Sequence, residues 1–280
     1  MDEWFCNYIR PSSKMRTIER YSEIIEKRLK VKLGEYELDE LTPLVLQRYV
    51  TELIQNGNLK TGKGLAANSV NCIITVIQSS LKFAYKLGTM KEYGADKVKR
   101  PKTKEKEVTC FTLPEQKKIE RTALMGKRVK LFGIVLCLYT GLRIGELLAL
   151  EWKDIDFQKG VLMVVKSRHD GKDKNGRYAQ IVESPKTVSS RRCIPLPKQI
   201  LCELRILKGK SHSVYVISNG ERSIPVRSYQ RSFERLLKRL DIPHKGFHSL
   251  RHTFATRALE CGMDVKMLSE ILGHKDPAVT

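Results

Sequence analysis

No stretch of this chain is long and apolar enough to cross a bilayer. The longest apolar run, Leu131 to Tyr139, falls far short of the roughly 20 residues a spanning helix needs. The opening MDEWFCNYIR lacks the charged-then-apolar order of an export signal. The seven cysteines, Cys6, Cys72, Cys110, Cys137, Cys193, Cys202 and Cys261, are odd in number and form no Cys-x-x-Cys pair. That argues against a disulfide framework or a zinc ribbon and for a reducing interior. Acidic residues are scarce: 31 Asp and Glu stand against 52 Lys and Arg, a formal charge of +21. A protein this basic usually meets a polyanion, most often nucleic acid, a merely basic surface being the plain alternative. Repeats and low-complexity tracts are missing too. Apolar residues make up 41% of the 280, enough for packed cores in about two domains.

The pattern divides the chain into a helical domain over 1–95, a basic linker over 96–111 and a second domain over 112–280. In the first, Ile18, Tyr21, Ile24, Ile25 and Leu29 recur at a helical period. Thr42 and Pro43 form a helix start, with threonine as cap and proline in the first turn. A third helix runs from near Asn68 to Gly88. Lys97 to Lys106 then holds six basic residues against one acidic residue and has no apolar period to pack. It reads as a solvated linker, or as one lying along phosphates, where each neutralising side chain releases counterion. Lys97, Lys99, Arg100, Lys102 and Lys104 are therefore candidate DNA contacts, with Arg191 and Arg192 farther on.

The second domain opens with a Thr112–Glu115 capping box. Helices are expected over 128–139, 143–150, 228–240, 248–261 and 264–272. Strands are expected over 160–165 and 214–217, and at 178–183 and 191–196 around one turn. The charged, Gly-punctuated 166–175 reads as a loop. The fold class is mainly α with a small antiparallel β-sheet.

Four segments carry chemistry: Thr140–Glu146 (TGLRIGE), Ser184–Thr187 (SPKT), His248–His252 (HSLRH) and Leu272–His274 (LGH). Breaking a phosphodiester by side chains alone needs fixed cations at the non-bridging oxygens, where charge builds in the transition state. Arginine suits this, with a planar fork that keeps its proton. Arg143 and Arg251 each stand at a helix start, where phosphate is favoured. His248 and Arg251 share a helical face. Lys186, on a turn between strands, could protonate a leaving oxygen. Each also has a plain reading: a solvated arginine, a surface lysine, His248 as a cap, His274 as a turn residue. His248 and His252 stand at i, i+4 as in a zinc protease, but HSLRH offers no glutamate base, and its arginine would repel a metal.

Taken in order, Thr-Gly-Leu-Arg-x-x-Glu, a strand-turn lysine, His-x-x-Arg and Leu-Gly-His resemble the tyrosine recombinases of the phage and transposon integrase family, over residues 14–280. The resemblance implies a SAM-like helical core-binding domain and a catalytic domain around duplex DNA. It implies that Arg143, Arg251 and His274 face the scissile phosphate, that Lys186 is the general acid, that His248 assists proton transfer and that Glu146 orients the site. Lys166, Lys172 and Lys174 lie in the same hairpin region as Lys186 and stay open for its role. Further implications are site-specific recombination through a 3′-phosphotyrosine, no cofactor or metal, and dimers to tetramers on DNA. An accessory DNA-bending or excision factor and a cytoplasmic, nucleoid-associated setting are also implied.

The nucleophile is the departure. All ten tyrosines lie at or before Tyr229, and the residues end six past His274, short of where the family's tyrosine would stand. A fragment, rather than a decayed copy, is the expectation, one that binds DNA without cutting it. Competing readings are a type IB topoisomerase-like nicking enzyme, separable by strand exchange against relaxation, and a DNA-binding protein without catalysis.

Overall fold

The computed structural model describes residues 1–103, 108–125, 129–172, 177–183 and 191–273. The backbone forms two compact units, Met1–Lys106 and Glu107–Thr280, each with its own apolar core.

The first unit is a helical bundle. The expected helix around Ile18 begins at Met15 and runs to Ile24, then continues through a π-turn, Ile25–Leu29, into Lys30–Leu33. Pro43–Asn56 starts as the sequence implies, with Thr42 accepting from the Val45 N–H at 3.4 Å, and buries Leu46, Tyr49, Val50 and Leu53. The long Ala67–Lys86 helix supplies Val70, Ile73, Ile74 and Ile77 to the same core. Trp4 and Phe5 also enter this core from an irregular helical stretch ahead of the helix expected first.

The basic segment corrects one expectation. It does find something to pack: Val98 is buried in the bundle core. The Lys99 N–H donates to Gln47 Oε1 (2.8 Å), and Asn71 Nδ2 donates to the Pro101 carbonyl (3.1 Å). One apolar residue and two side-chain amides suffice to strap an otherwise polar backbone onto the helices.

The second unit is built on Val129–Thr140, a helix buried nearly all round, with Leu113–Met125, Val226–Arg239 and Ser249–Glu260 beside it. The Thr112–Glu115 capping box forms, at 2.7 and 3.4 Å. Among the described residues seven short strands follow: β1 (Ile155–Asp156), β2 (Val161–Val164), β3 (Ser167–Lys172), β4 (Tyr178–Glu183), β5 (Arg192–Pro195), β6 (Ser218–Asn219) and β7 (Arg222–Ser223). They make three small antiparallel sheets, β1-β2-β5, β3-β4 and β6-β7.

Three sequence expectations change here. Ser167–Lys172 is a strand, not a loop: its polar side chains hid a backbone ladder with β4, in register Ser167 to Glu183. The segments at 178–183 and 191–196 do not share one sheet, since β5 pairs with β2 instead. Val214–Ile217 forms only an isolated bridge between Tyr215 and Glu151. Its apolar character reflects the burial of Val216 and Ile217 rather than a ladder.

Candidate active site

The site begins where the Val129–Thr140 helix stops. Gly141 has φ of +64°, and a Cβ there would stand 2.7 Å from both Leu272 Cδ2 and Phe254 Cδ1. Glycine is thus required twice, for the left-handed turn and for close approach. The turn sets Arg143 at the N-cap of the Ile144–Ala149 helix. Gly145 lets β3 lie against that helix, because a Cβ would meet the Arg168 carbonyl oxygen at 2.4 Å.

Glu146 binds back to the cap. The Arg143 N–H donates to Glu146 Oε2 (2.9 Å), and Arg143 Nη1 donates to Oε1 (3.0 Å). Arg143 Nη1 also lies 3.4 Å from the Leu272 carbonyl oxygen. Arg251, on the Ser249–Glu260 helix, donates through Nη2 to that same carbonyl (2.6 Å) and through Nη1 to the Gly141 carbonyl (2.8 Å). The two guanidinium groups therefore converge on one atom at the end of the Val265–Leu272 helix. The Arg143 side chain keeps 41% of its surface exposed, whereas Arg251 is buried. Burial, with Arg143 alongside and Glu146 opposing, brings the Arg251 pKa down to about 9, so it stays charged at neutral pH.

A third arginine completes the cluster. Arg192 Nη1 and Nη2 donate to Glu146 Oε1 (3.0 Å) and Oε2 (2.7 Å), and its Nε donates to the Ile271 carbonyl (2.6 Å). Burial pushes the Glu146 carboxyl up, but the bonds and charge of Arg192 and Arg143 outweigh it and hold the pKa below 4.5. This corrects the reading of Arg192 as a DNA-surface residue: it is inside. Period-2 alternation carried the signal, because Arg192 and Ile194 share the buried face of β5 and Leu196, just past its end, continues it.

His248 is exposed at the N-cap of the Ser249–Glu260 helix, and its carbonyl accepts from the Arg251 and His252 N–H groups at 3.1 and 3.2 Å. The His252 ring meets the His248 ring edge to face, 4.6 Å between centroids. Burial and the Arg251 charge lower the His252 pKa, favouring the neutral ring. The Arg143 and Arg251 guanidinium groups thus meet at the Leu272 carbonyl, and His248 caps the helix that carries Arg251.

Such a cluster can hold a tetrahedral oxyanion, with helix-start cations on one side and imidazole nearby. The Phage integrase family model matches residues 111–280. The chain belongs to the phage integrase family. A second model, the N-terminal SAM-like domain of phage integrases, matches residues 1–54. The tyrosine recombinase XerC-like protein of Caldanaerobacter subterraneus subsp. tengcongensis is 29% identical over 307 residues, covering 100% of this chain and 76% of that protein. Tyrosine recombinase XerA of Pyrococcus horikoshii is 32% identical over 226 residues, 78% of this chain and 69% of that protein. The solved Tn1549 transposon integrase in complex with transposon right end DNA superposes with a TM-score of 0.80 at 21% identity, over 99% of this chain and 92% of that one. A lambda integrase dimer bound to a core site gives 0.71 at 21% identity, over 100% and 95%. At those identities the structures establish the integrase fold: mainly helical, with small antiparallel sheets. The family's business is site-specific DNA recombination.

The other expected residues of this phage integrase family member fall as follows. Lys186, His274, Lys104 and Lys174 lie outside the described residues. Lys166 does not present a free ammonium: it is ion-paired with Glu151 and lies 3.8 Å from Asp154. Lys97, Lys99 and Lys102 are exposed on the first unit, and Arg191 is exposed beside β5. Arg100 is exposed but turns back to Gln78 Oε1 (2.6 Å).

Proposed function

We propose that this chain recognises duplex DNA and grips one phosphodiester between Arg143 and Arg251 for cleavage and rejoining through a 3′-phosphotyrosine, in the integration or excision of a mobile element. The observation that carries this is the convergence of both guanidinium groups on the Leu272 carbonyl, at 3.4 and 2.6 Å. A guanidinium has five N–H donors, and the Arg143 side chain keeps 41% of its surface exposed, open to a phosphate oxygen. In this reading a tyrosine oxygen attacks phosphorus and the 5′ oxygen departs. Lys186 supplies the leaving oxygen's proton, His248 assists proton transfer by accepting the tyrosine's, and His274 faces the phosphate. Glu146 orients Arg143.

In this reading the tyrosine is one outside these 280 residues. In the second unit, Tyr229 is buried, its hydroxyl donating to the Lys130 carbonyl at 2.5 Å. Tyr215 lies under the Arg168 guanidinium, 4.6 Å from it. In this reading the 280-residue chain by itself binds and does not cut. The basic segment Lys97, Lys99, Arg100, Lys102 and Lys104, with Arg191, supplies phosphate contacts, and assembly on DNA runs from dimer to tetramer. Accessory bending factors belong to the same picture.

The test uses duplexes selected by binding from a random library, nicked so that a covalent adduct is trapped. The 280-residue chain should give none, and a chain extended through a downstream tyrosine should give one. Arg143→Ala in the extended chain should lose cleavage by about a hundredfold or more while DNA affinity changes far less. Equal loss of both would reduce the protein to a DNA binder.

A further inference from the structure

Arg192 has no part in the phosphate grip, yet all its nitrogens are engaged at the same place. Its side chain is 5% exposed. Nη1 and Nη2 take the two oxygens of Glu146, and Nε takes the Ile271 carbonyl. A two-point grip fixes the plane of a carboxylate as well as its position. Those same two oxygens receive Arg143, Oε1 from its guanidinium and Oε2 from its backbone N–H. Every Glu146 bond that holds Arg143 is thus shared with Arg192. Arg251 is held differently, by the Gly141 and Leu272 carbonyls.

Gly273 touches this arrangement from the other side. A Cβ there would stand 3.1 Å from Arg192 Cδ and 3.2 Å from Nη1, on a backbone with φ of +66°. The glycine that ends the Val265–Leu272 helix therefore also makes room for Arg192.

We propose that Arg192 is a positioning residue for Arg143. It locks the Glu146 carboxylate so that a half-exposed guanidinium keeps one orientation toward the phosphate, and it ties that orientation to the end of the Val265–Leu272 helix. The inference rests on the reading of Arg143 as a phosphate ligand. Freely exposed arginines sample many rotamers, and transition-state cations act only when held in place beforehand. A lysine at 192 keeps the charge but lacks the planar fork. It cannot hold both carboxylate oxygens and the Ile271 carbonyl together.

The test is ¹⁵N NMR of the 280-residue chain, reading the Nε–Hε signals of Arg143 and Arg251. In the unaltered chain both should be rigid by heteronuclear NOE. In Arg192→Lys the Arg143 signal should become mobile while Arg251 stays rigid. Gly273→Ala, which crowds Arg192 from outside the ion pair, should loosen Arg143 in the same selective way. With inorganic vanadate as the probe, Arg192→Lys should weaken the Arg143 response about tenfold. Arg143 remaining rigid in both variants overturns the proposal. So does joint loosening of Arg143 and Arg251, which marks a general loss of packing. An unaltered chain that ignores vanadate counts against the phosphate reading, and the probe-free rigidity comparison still decides the role of Arg192.

Discussion

The two units solve the problem of charge in opposite ways. In Met1–Lys106 the ion pairs are on the outside: Lys27 with Glu23, Lys30 with Glu26 and Asp2, and Lys32 with Glu52 all keep exposed side chains. Its core is apolar, with Ser80 as the buried polar residue among those described. Glu107–Thr280 instead buries Arg168, Arg192, Arg251, Glu146 and Asp154. Buried charge costs desolvation that hydrophobic packing does not. The difference fits the proposed function, in which the first unit needs only a shape that presents basic residues and the second must hold cations still.

Each unit carries one of the two tryptophans, Trp4 and Trp152, both buried, so the contrast can be followed by fluorescence. The largest effect should come from Arg192→Met, which takes the two-point grip from buried Glu146 and leaves it only the half-exposed Arg143. We expect about 3–5 kcal/mol lost from the second unit, read in urea from Trp152 in a Trp4→Phe background. No change there would mean that the pair is idle.

Leu46→Ala, in the apolar core of the first unit, should cost about 2–5 kcal/mol and move only the Trp4 transition. Acid should separate the units further. The Glu146 carboxyl has a folded pKa below its ordinary value, so its contribution to stability is fully present above pH 4.5 and is lost as pH falls through the folded value. Glu146→Gln should flatten that part of the second unit's acid-unfolding curve, and a curve that stays steep would assign acid sensitivity elsewhere. At the small end, Lys27→Ala on the bundle surface should change stability by less than about 0.5 kcal/mol. A larger effect would erase the distinction between outside and inside charge.

Much of the fold was legible from periodicity and caps. The Thr42–Pro43 and Thr112–Glu115 helix starts and the break at Gly141 are local events, decided by side chains a few residues apart. The strand at 167–172 was not, because Ser-Arg-His-Asp-Gly-Lys has no apolar alternation and exists through its pairing with β4. Among the site residues, Glu146 bonds Arg143, and Arg143 and Arg251 meet at the Leu272 carbonyl. Arg192 is the exception: grouped with Arg191 as a DNA contact, it is turned inward, as the alternation through Ile194 and Leu196 already indicates.

By itself the sequence determined which residue types stand at helix starts, which faces are apolar and which family the motifs resemble, since these depend on near neighbours along the chain. Only the tertiary structure decided that the Leu272 carbonyl is shared by two arginines, that Glu146 is gripped by a third, and that Lys166 is tied up by Glu151. Those pairings join segments far apart in the chain, and a buried charge takes whichever partner folding brings within hydrogen-bond reach.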